Sequence, residues 1–494
     1  MSDIRGSVVS RRSFVGWSAV SGAALVGGPL LWARPAIAGT VPVEGVHLQF
    51  GGDAARQVTA SWLTQGSVSA PRLRLGTPEG GVGTELAADT RTYVDGATGV
   101  EVISHHVELD RLRPSTRYIY EVLHDGASAT QGSFRTGPDG RAPFRFTSFG
   151  DQGTGDASDV VSGPAGAAVV DQIEWADPLL HLLNGDLCYA NVNSDRTGVW
   201  RRFLVNNARS ARYRPWMPAA GNHENERGNS PQGFDAYTTQ FALPGNGSTD
   251  FAGYWYDFTV GSVRFISLQN DDVCYQDGGN TYIRGYSAGA QRLWLASRLA
   301  AARQDPRIDW IVVVMHQLGL SSAEGNGSDL GIREEWLPLF DRYGVDLVLC
   351  GHDHDYERSH PVRGVEPASA TLTPRVAGTA TDVIDTSHGT VHMTLGGGGT
   401  AIPTNAYGAD MTVAPTAKVI TGRSTTEREP APWSAVRDPL YPWGFAAFDV
   451  DPGAPGGMTR IRVTYYRTAL SGTDAPDPFD TFVLERPRND ARGS

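Results

Sequence analysis

Lysine is almost missing: of the 42 basic residues in the 494-residue chain only Lys418 is one, the rest being arginine. That bias speaks of genome base composition more than of function. Cysteine is scarce as well. Cys188, Cys274 and Cys350 are the only three, too few for a disulfide scaffold and without zinc-finger spacing, so at most one bridge can form. Basic charge is outweighed by 54 Asp and Glu, giving a formal net charge of −12. This excludes a general nucleic-acid binder and predicts no nucleic-acid binding surface. Beyond the N-terminal segment no apolar run is long enough to span a membrane. Core-forming material is plentiful: 40% hydrophobic residues, with 12 Trp, 17 Tyr and 17 Phe, exclude extensive disorder. The length suits about three domains, or one large and one small.

The N-terminal segment reads as an address. Ser10-Arg11-Arg12-Ser13-Phe14 sets paired arginines before a weakly apolar run, Val15 to Trp32, rich in Gly, Ala and Ser. Ala36-Ile37-Ala38 then supplies a small-x-small cleavage pattern. Residues 1–38 are therefore expected to be a twin-arginine signal peptide, which exports folded and often metal-loaded proteins. The competing reading is a membrane anchor, against which the Gly and Ser content counts. Removing 1–38 takes away four Arg and one Asp, so the net charge moves from −12 to −15. The expected product is soluble and secreted, with no stable membrane span.

Residues 41–137 alternate in the manner of strands. Val46, Leu48 and Phe50, then Val58, Ala60 and Trp62, then Leu73 and Leu75 lie at period two between turn residues. This predicts an all-β sandwich. The stretch Leu112 to Tyr120 resembles the tyrosine corner of fibronectin type III-like domains. Nothing in this part looks catalytic; a packing or adhesion module is the reading it supports. His105, His106 and His124 are expected at its surface or in turns.

After a Gly/Pro-rich joint, 137–143, apolar strands ending in polar residues alternate with helical segments over 141–487. Gln291 to Gln304 predicts a helix stopped by Asp305-Pro306. Pro367 to Asp385 reads as a surface excursion, and Gly396 to Gly399 as a flexible turn. Phe445 to Val450, Arg460 to Arg467 and Thr481 to Leu484 look like strands completing a sheet.

Five motifs share one architecture. Phe144 to Phe149 leads into Gly150-Asp151-Gln152-Gly153; Leu179 to Leu183 into Asn184-Gly185-Asp186-Leu187-Cys188-Tyr189; Met217 to Ala220 into Gly221-Asn222-His223-Glu224; Trp310 to Met315 into His316; Val345 to Cys350 into Gly351-His352-Asp353-His354. Each sets metal-ligating side chains just past the carboxyl end of an apolar strand, the edge at which open α/β sheets bind ligands. Singly these motifs are weak, since Gly-Asp is usually a turn and a lone His is usually structural. Five in order form a strong signal. Asp151, Asp186, Tyr189, Asn222, His316, His352 and His354 are too many donors for one tetrahedral zinc and suit two metals sharing a carboxylate, with Asp186 as the bridge. The phenolate of Tyr189 favours trivalent iron beside a divalent neighbour.

These residues resemble the purple acid phosphatases within the calcineurin-like metallophosphoesterase superfamily. Gly153 stands where other metallophosphoesterases usually carry a histidine, and Tyr189 offers the replacement donor. The resemblance implies an α/β domain of two mixed β-sheets flanked by helices behind the β-sandwich. It implies Asp151, Asp186, Tyr189 and His354 around Fe(III), and Asp186, Asn222, His316 and His352 around a divalent Fe, Zn or Mn. His223 would face the substrate as a proton donor to the leaving oxygen. The implied activity is acid phosphatase-type hydrolysis of small phosphomonoesters, with metal-activated hydroxide as nucleophile. Plant-like members carry further histidines shortly after the His316 position, whereas Gln317 to Gly331 has none and offers Ser321, Ser322, Glu324 and Asp329; Glu324 or Asp329 could serve as the acid instead, but both are read as solvated loop carboxylates. That departure keeps a phosphodiesterase or nucleotide hydrolase as the alternative. A surface-binding protein with a structural metal site is a third reading, opposed by the complete donor set.

Outside the motifs, His181 inside an apolar strand is expected to be a satisfied core histidine, and His360 a candidate second neighbour of the metals. Cys188 and Cys274 are a conceivable bridge, with Cys350 a buried thiol; linkage is not legible from sequence.

Overall fold

Period-two patterning produces the strands it predicts. The computed structural model describes residues 41–400, 407, 413–470 and 475–490; the expected signal peptide lies outside them. Among the described residues no helix is long and apolar enough to cross a membrane. The N-terminal part is an all-β sandwich of two four-stranded antiparallel sheets. One runs Glu44–Phe50, Val58–Thr64, Glu101–Leu109, Asp89–Val94, the other Gly81–Ala87, Arg72–Thr77, Arg117–Leu123, Thr130–Arg135. Leu48, Ala60 and Trp62 face inward and are fully buried. Tyr118 closes the corner: its hydroxyl accepts the Arg113 N–H at 2.9 Å, as the tyrosine-corner pattern requires.

The histidines of the sandwich are not at the surface as expected. His105, His106 and His124 are all buried; for His106 the reason is that the first sheet is covered on its outer side too. His47 and His106 point outward from the strands on either side of Val58–Thr64, and their Nε2 atoms meet the carbonyls of Gln240 and Thr239 at 2.8 and 2.9 Å. His105 lies between the hydroxyls of Thr64 and Thr90, 2.9 Å from each, and His124 Nε2 meets the Val41 carbonyl at 2.8 Å. What covers His47 and His106 comes from elsewhere in the chain.

The remainder is an α/β domain with two seven-stranded mixed sheets. The first has the order Trp216–Ala219, Leu180–Asn184, Phe144–Phe149, Gly444–Asp451, Met458–Arg467, Asp477–Pro487, Val383–Asp385; the second Tyr256–Val260, Val263–Ser267, Trp310–Val314, Leu347–Cys350, Val391–Leu395, Tyr356–Ser359, Ser434–Arg437. The three C-terminal strands expected from sequence do join the first sheet, each antiparallel to its neighbour, with Gly444–Asp451 antiparallel to Phe144–Phe149. A continuous apolar core joins the facing sides of both sheets, with Phe146 stacked on Phe448 and edge-on to Phe265.

Helix Ala290–Gln304 buries Leu295, Leu299 and Ala302 at helical spacing and ends where Pro306 forbids continuation. The segment 367–385 is more than a surface excursion. Val383–Asp385 pairs parallel with Asp477–Pro487 as an edge strand, and the hydroxyls of Thr371 and Thr373 both bond the buried Glu429.

Candidate metal centre

Five strand ends meet at one edge. Phe144–Phe149, Leu180–Asn184 and Trp216–Ala219 are parallel neighbours and lead to Asp151, to Asp186 and Tyr189, and to Asn222. Trp310–Val314 and Leu347–Cys350, parallel in the other sheet, lead to His316 and to His352 and His354. The chain must turn sharply here. Asp151, Asp186, Tyr189 and His352 all have left-handed backbones, with φ of 61°, 50°, 59° and 73°. Such residues cost about 1–3 kcal/mol each and persist where surrounding structure imposes them, typically at functional sites. Two glycines are required by crowding rather than by backbone conformation. A Cβ on Gly221 would stand 2.3 Å from Asp186 Oδ1, and one on Gly351 2.3 Å from Asp151 Oδ2.

All seven side chains converge, in two groups. The ligand atoms of Asp186, His316 and His352 lie within 4.8 Å of one another and all three residues are buried. His316 Nε2 is 3.1 Å from Asp186 Oδ2, 3.0 Å from Asn222 Oδ1 and 3.1 Å from His352 Nδ1. In the second group the Tyr189 hydroxyl is 3.1 Å from Asp151 Oδ1 and 3.1 Å from His354 Nε2, which is itself 3.3 Å from Asp151 Oδ1. Backbone bonds join the groups, from Asp151 N–H to the Gly185 carbonyl and from Gln152 N–H to the Asp186 carbonyl.

This donor set fits a pair of cations. One imidazole nitrogen, His316 Nε2, faces three acceptors within 3.1 Å, yet carries at most one proton with which to satisfy them. Converging lone pairs of this kind are what a metal ion neutralises. The electrostatics agree. Burial opposes charge on both carboxylates; on Asp151 it prevails and raises the pKa, whereas on Asp186 His316 and then His223 overcome it and lower the pKa below the ordinary range. Against burial, Asp186 and Asp151 raise His316 to about 10, while burial and the neighbouring His316 push His352 well down. Burial, then Asp151 and Asp186, drives the Tyr189 phenol well up. A carboxylate, an amide and two imidazoles on one side, and a carboxylate, a phenol and an imidazole on the other, suit a binuclear centre with Asp186 between.

His223 stands at the rim. Its Nδ1 pairs with Asn191 Oδ1 at 2.8 Å, its backbone N–H donates to Asp186 Oδ1 at 2.8 Å, and its Nε2 is 3.9 Å from Asp186 Oδ2. The ring lies against that of Tyr189, centroids 4.5 Å apart, and its side chain keeps 24% exposure.

A supporting layer escaped the sequence reading. His316 Nδ1 donates to the Asn184 carbonyl at 2.7 Å, fixing Nε2 as the inward atom. His352 Nε2 meets Gln276 Oε1 at 2.8 Å, and His354 Nδ1 meets Thr400 Oγ1 at 3.0 Å. Asn270 Oδ1 accepts the His316 N–H at 2.7 Å. Asn184 and Glu224, which bonds the backbone of Asp186 and Leu187, sit inside recognisable motifs; Gln276, Asn270 and Thr400 arrive on distant loops and carry no local signal.

Two loop readings change, those of Asp329 and of Gly396 to Gly399. Asp329 is buried, not solvated: it accepts the N–H groups of Tyr275, Gln276 and Gly331 at 3.1, 2.9 and 2.8 Å. Ser321 and Ser322 are buried too, bonded to Asp353 and Glu357, while Glu324 is an exposed partner of Arg428. Gly396 to Gly399 is a packed stretch, buried throughout, where Gly398 N–H meets the Gly150 carbonyl at 2.8 Å. His181 is half satisfied, with Nδ1 on the Thr147 hydroxyl at 2.8 Å and Nε2 buried without a partner. His360 is held by its backbone to the Trp433 carbonyl. All three cysteines are free and buried, Cys188 in a different apolar cluster from Cys274 and Cys350.

Comparison with known proteins agrees with this geometry. The family model described as the purple acid phosphatase N-terminal domain matches residues 43–136, and that of the calcineurin-like phosphoesterases matches residues 165–356. An uncharacterized protein of Mycobacterium tuberculosis is 51% identical over 489 residues, 93% of this chain and 90% of that one. A purple acid phosphatase of Glycine max is 30% identical over 369 residues, 70% of this chain and 66% of its own. In fold, the chain is similar to a purple acid phosphatase isolated from yellow lupin seeds, with a TM-score of 0.67 at 20% identity over 92% of this chain and 76% of that one. With a tyrosine among its converging donors and a matching sandwich ahead of them, the chain belongs to the purple acid phosphatase-like members of the calcineurin-like metallophosphoesterases and is a metal-dependent phosphoric ester hydrolase.

Proposed function

We propose that this hydrolase is an exported phosphatase of small phosphomonoesters that works with an Fe(III)–divalent pair, after removal of a twin-arginine signal over residues 1–38. The observation that carries the metal assignment is the Tyr189 hydroxyl, 3.1 Å from both Asp151 Oδ1 and His354 Nε2. A phenolate with a carboxylate and one imidazole is a hard, electron-rich set suited to trivalent iron. Asn222, His316 and His352 suit a divalent ion, Fe, Zn or Mn, and Asp186 serves both. When bound, such a pair supplies Lewis acidity for the phosphoryl group and a water acidic enough to attack it at mild pH.

The chain's own contribution to proton transfer is His223. Asn191 Oδ1 holds the Nδ1 proton, so that Nε2 is the atom that exchanges a proton with the departing ester oxygen, worth about 10²–10⁴-fold in rate. Burial lowers the pKa of the ring, the Asp186 carboxylate 3.9 Å away partly opposes that, and the Tyr189 ring packs against it.

The test is to purify the exported protein and combine N-terminal sequencing, elemental analysis, a visible spectrum and hydrolysis of matched monoester and diester chromogenic substrates. The expected result is Gly39 at the N-terminus, one iron and one divalent ion per chain, a visible band lost in Tyr189→Phe, and faster monoester turnover. Absence of iron overturns the metal assignment; faster diester turnover establishes the phosphodiesterase alternative instead.

A further inference from the structure

A polar cavity of about 240 Å³ lies beside His352. Gln276 and Asn326 form its wall toward the candidate centre. Gln276 Oε1 meets His352 Nε2 at 2.8 Å, Asn326 Nδ2 donates to the His352 carbonyl at 2.6 Å, and Gln276 Nε2 donates to Asn326 Oδ1 at 3.3 Å. The same two amides therefore touch the metal-ligand candidate and line the cavity. The opposite wall is the hairpin of strands Thr416–Gly422 and Thr425–Pro430, which brings in Lys418 and Arg423.

Arg423 pairs with Asp277 at 2.8 Å and Arg428 with Glu324, and the buried carboxylates of Asp329 and Asp353 accept the backbone N–H groups of Gln276 and Asn326 at 2.9 Å each. Lys418, the single lysine, lines the cavity but makes no ion pair among the described residues; its Nζ donates to the neutral carbonyl of Gly325. The Arg423–Asp277 pair is more than half exposed on both sides, and so exposed a pair is weak enough for Arg423 to turn to a competing anion. An ammonium is a compact point charge that recognises phosphate or carboxylate without fixed planar geometry.

We propose that this cavity is a subsite for a second anionic group, phosphate or carboxylate, carried by the substrate away from its scissile phosphoryl group, with Lys418 as the charge partner. The inference rests on the phosphatase reading above and narrows it: preferred substrates are phosphomonoesters bearing a further acid group. Gln276 and Asn326 hold the partition between the two sites, and each side-chain amide has a second N–H with which to donate to the incoming anion.

The experiment uses the metal-loaded full-length mature protein and alkyl phosphates of graded chain length in three forms: plain, ω-carboxylated and ω-phosphorylated. Phosphate release gives kcat/KM for each. At the best chain length the wild type should favour a two-anion substrate over the plain one. Lys418→Met should lower that ratio about tenfold, chiefly through KM, the scale of a hydrogen bond to a charged group, and Lys418→Arg should retain most of it. Comparing the two tails identifies which anion the subsite takes. A wild-type ratio at or below one, or a ratio unmoved by Lys418→Met, overturns the subsite while leaving the phosphatase reading intact. No release from any of the three overturns the phosphatase reading itself, and the subsite with it.

Discussion

Glu224 grips Asp186 by the backbone. Its Oε2 accepts the N–H of Asp186 at 2.9 Å and that of Gly221 at 2.8 Å, while Oε1 accepts the N–H of Leu187 at 2.8 Å. One buried carboxylate thereby ties the turn after strand Leu180–Asn184 to the turn after Trp216–Ala219, fixing the proposed bridging ligand against the Asn222 segment. Burial, with Asp186 next, raises the Glu224 carboxyl to about 8.

Glu224→Gln tests that tie. An amide has one acceptor oxygen and must turn its own N–H₂ toward at least one of the three backbone donors, so the turn loosens. The expected outcome is a folded protein with metal affinity lowered about 10–100-fold, as for other residues that orient ligands, and activity recovered in excess metal. Titration against a chromophoric chelator measures it; unchanged affinity would show that Glu224 merely fills space.

Asp186→Asn and His223→Ala should separate binding from chemistry. The first removes the carboxylate both cations would share, so metal content and turnover fall together. The second leaves the seven donors in place, so metal content holds while kcat drops about 10²–10⁴-fold. An undiminished kcat in His223→Ala removes His223 from the mechanism.

The sandwich is fastened to the site through Asn229, which donates to Asp95 Oδ1 at 3.1 Å and to Glu226 Oε2 at 2.8 Å and accepts the Gly96 N–H at 2.8 Å. Glu226 lies four residues past Asn222. Calorimetry of the metal-loaded protein should therefore give one unfolding transition, and Asn229→Ala should lower stability by about 1–3 kcal/mol by leaving buried groups unpaired. Two separate wild-type transitions would contradict the coupling.

Acid should weaken the same joint. Burial, with Arg91 next, holds His106 down to about 3 from an ordinary 6.5, and burial lowers His47 as well. Below pH 6.5 the unfolded chain takes up protons that the folded one refuses. The stabilisation is thus complete above 6.5 and is lost toward pH 3, at up to about 1.4 kcal/mol per unit for one histidine. Melting temperature should fall between pH 7 and 4.5, and less so in His106→Gln, whose amide can still reach the Thr239 carbonyl. A flat wild-type profile would exclude this role.

Much of the site was legible because each donor sits in a short contiguous motif at a strand end, where strand periodicity and turn residues mark the same spot. Asp151, Asp186 and His352 even required the strained backbones that their flanking glycines announce. What could not be read was whatever a remote segment supplies. Gln276 supports His352 across 76 residues of chain, and nothing near it in sequence says so. Burial of His106 and of Asp329 failed to register for the same reason: a polar residue on an alternating strand or in a Ser/Gly-rich loop looks solvated until another segment lies over it.

The donors divide between the two sheets: Asp151, Asp186, Tyr189 and Asn222 follow strands of one, His316, His352 and His354 strands of the other. Each proposed ion would draw ligands from both and so rivet one half of the domain to the other. Loading would then add to cohesion in proportion to the logarithm of free metal over its dissociation constant. A starved chain would be the looser, more protease-prone form, so that scarcity of iron would limit how long the protein survives as well as how fast it works.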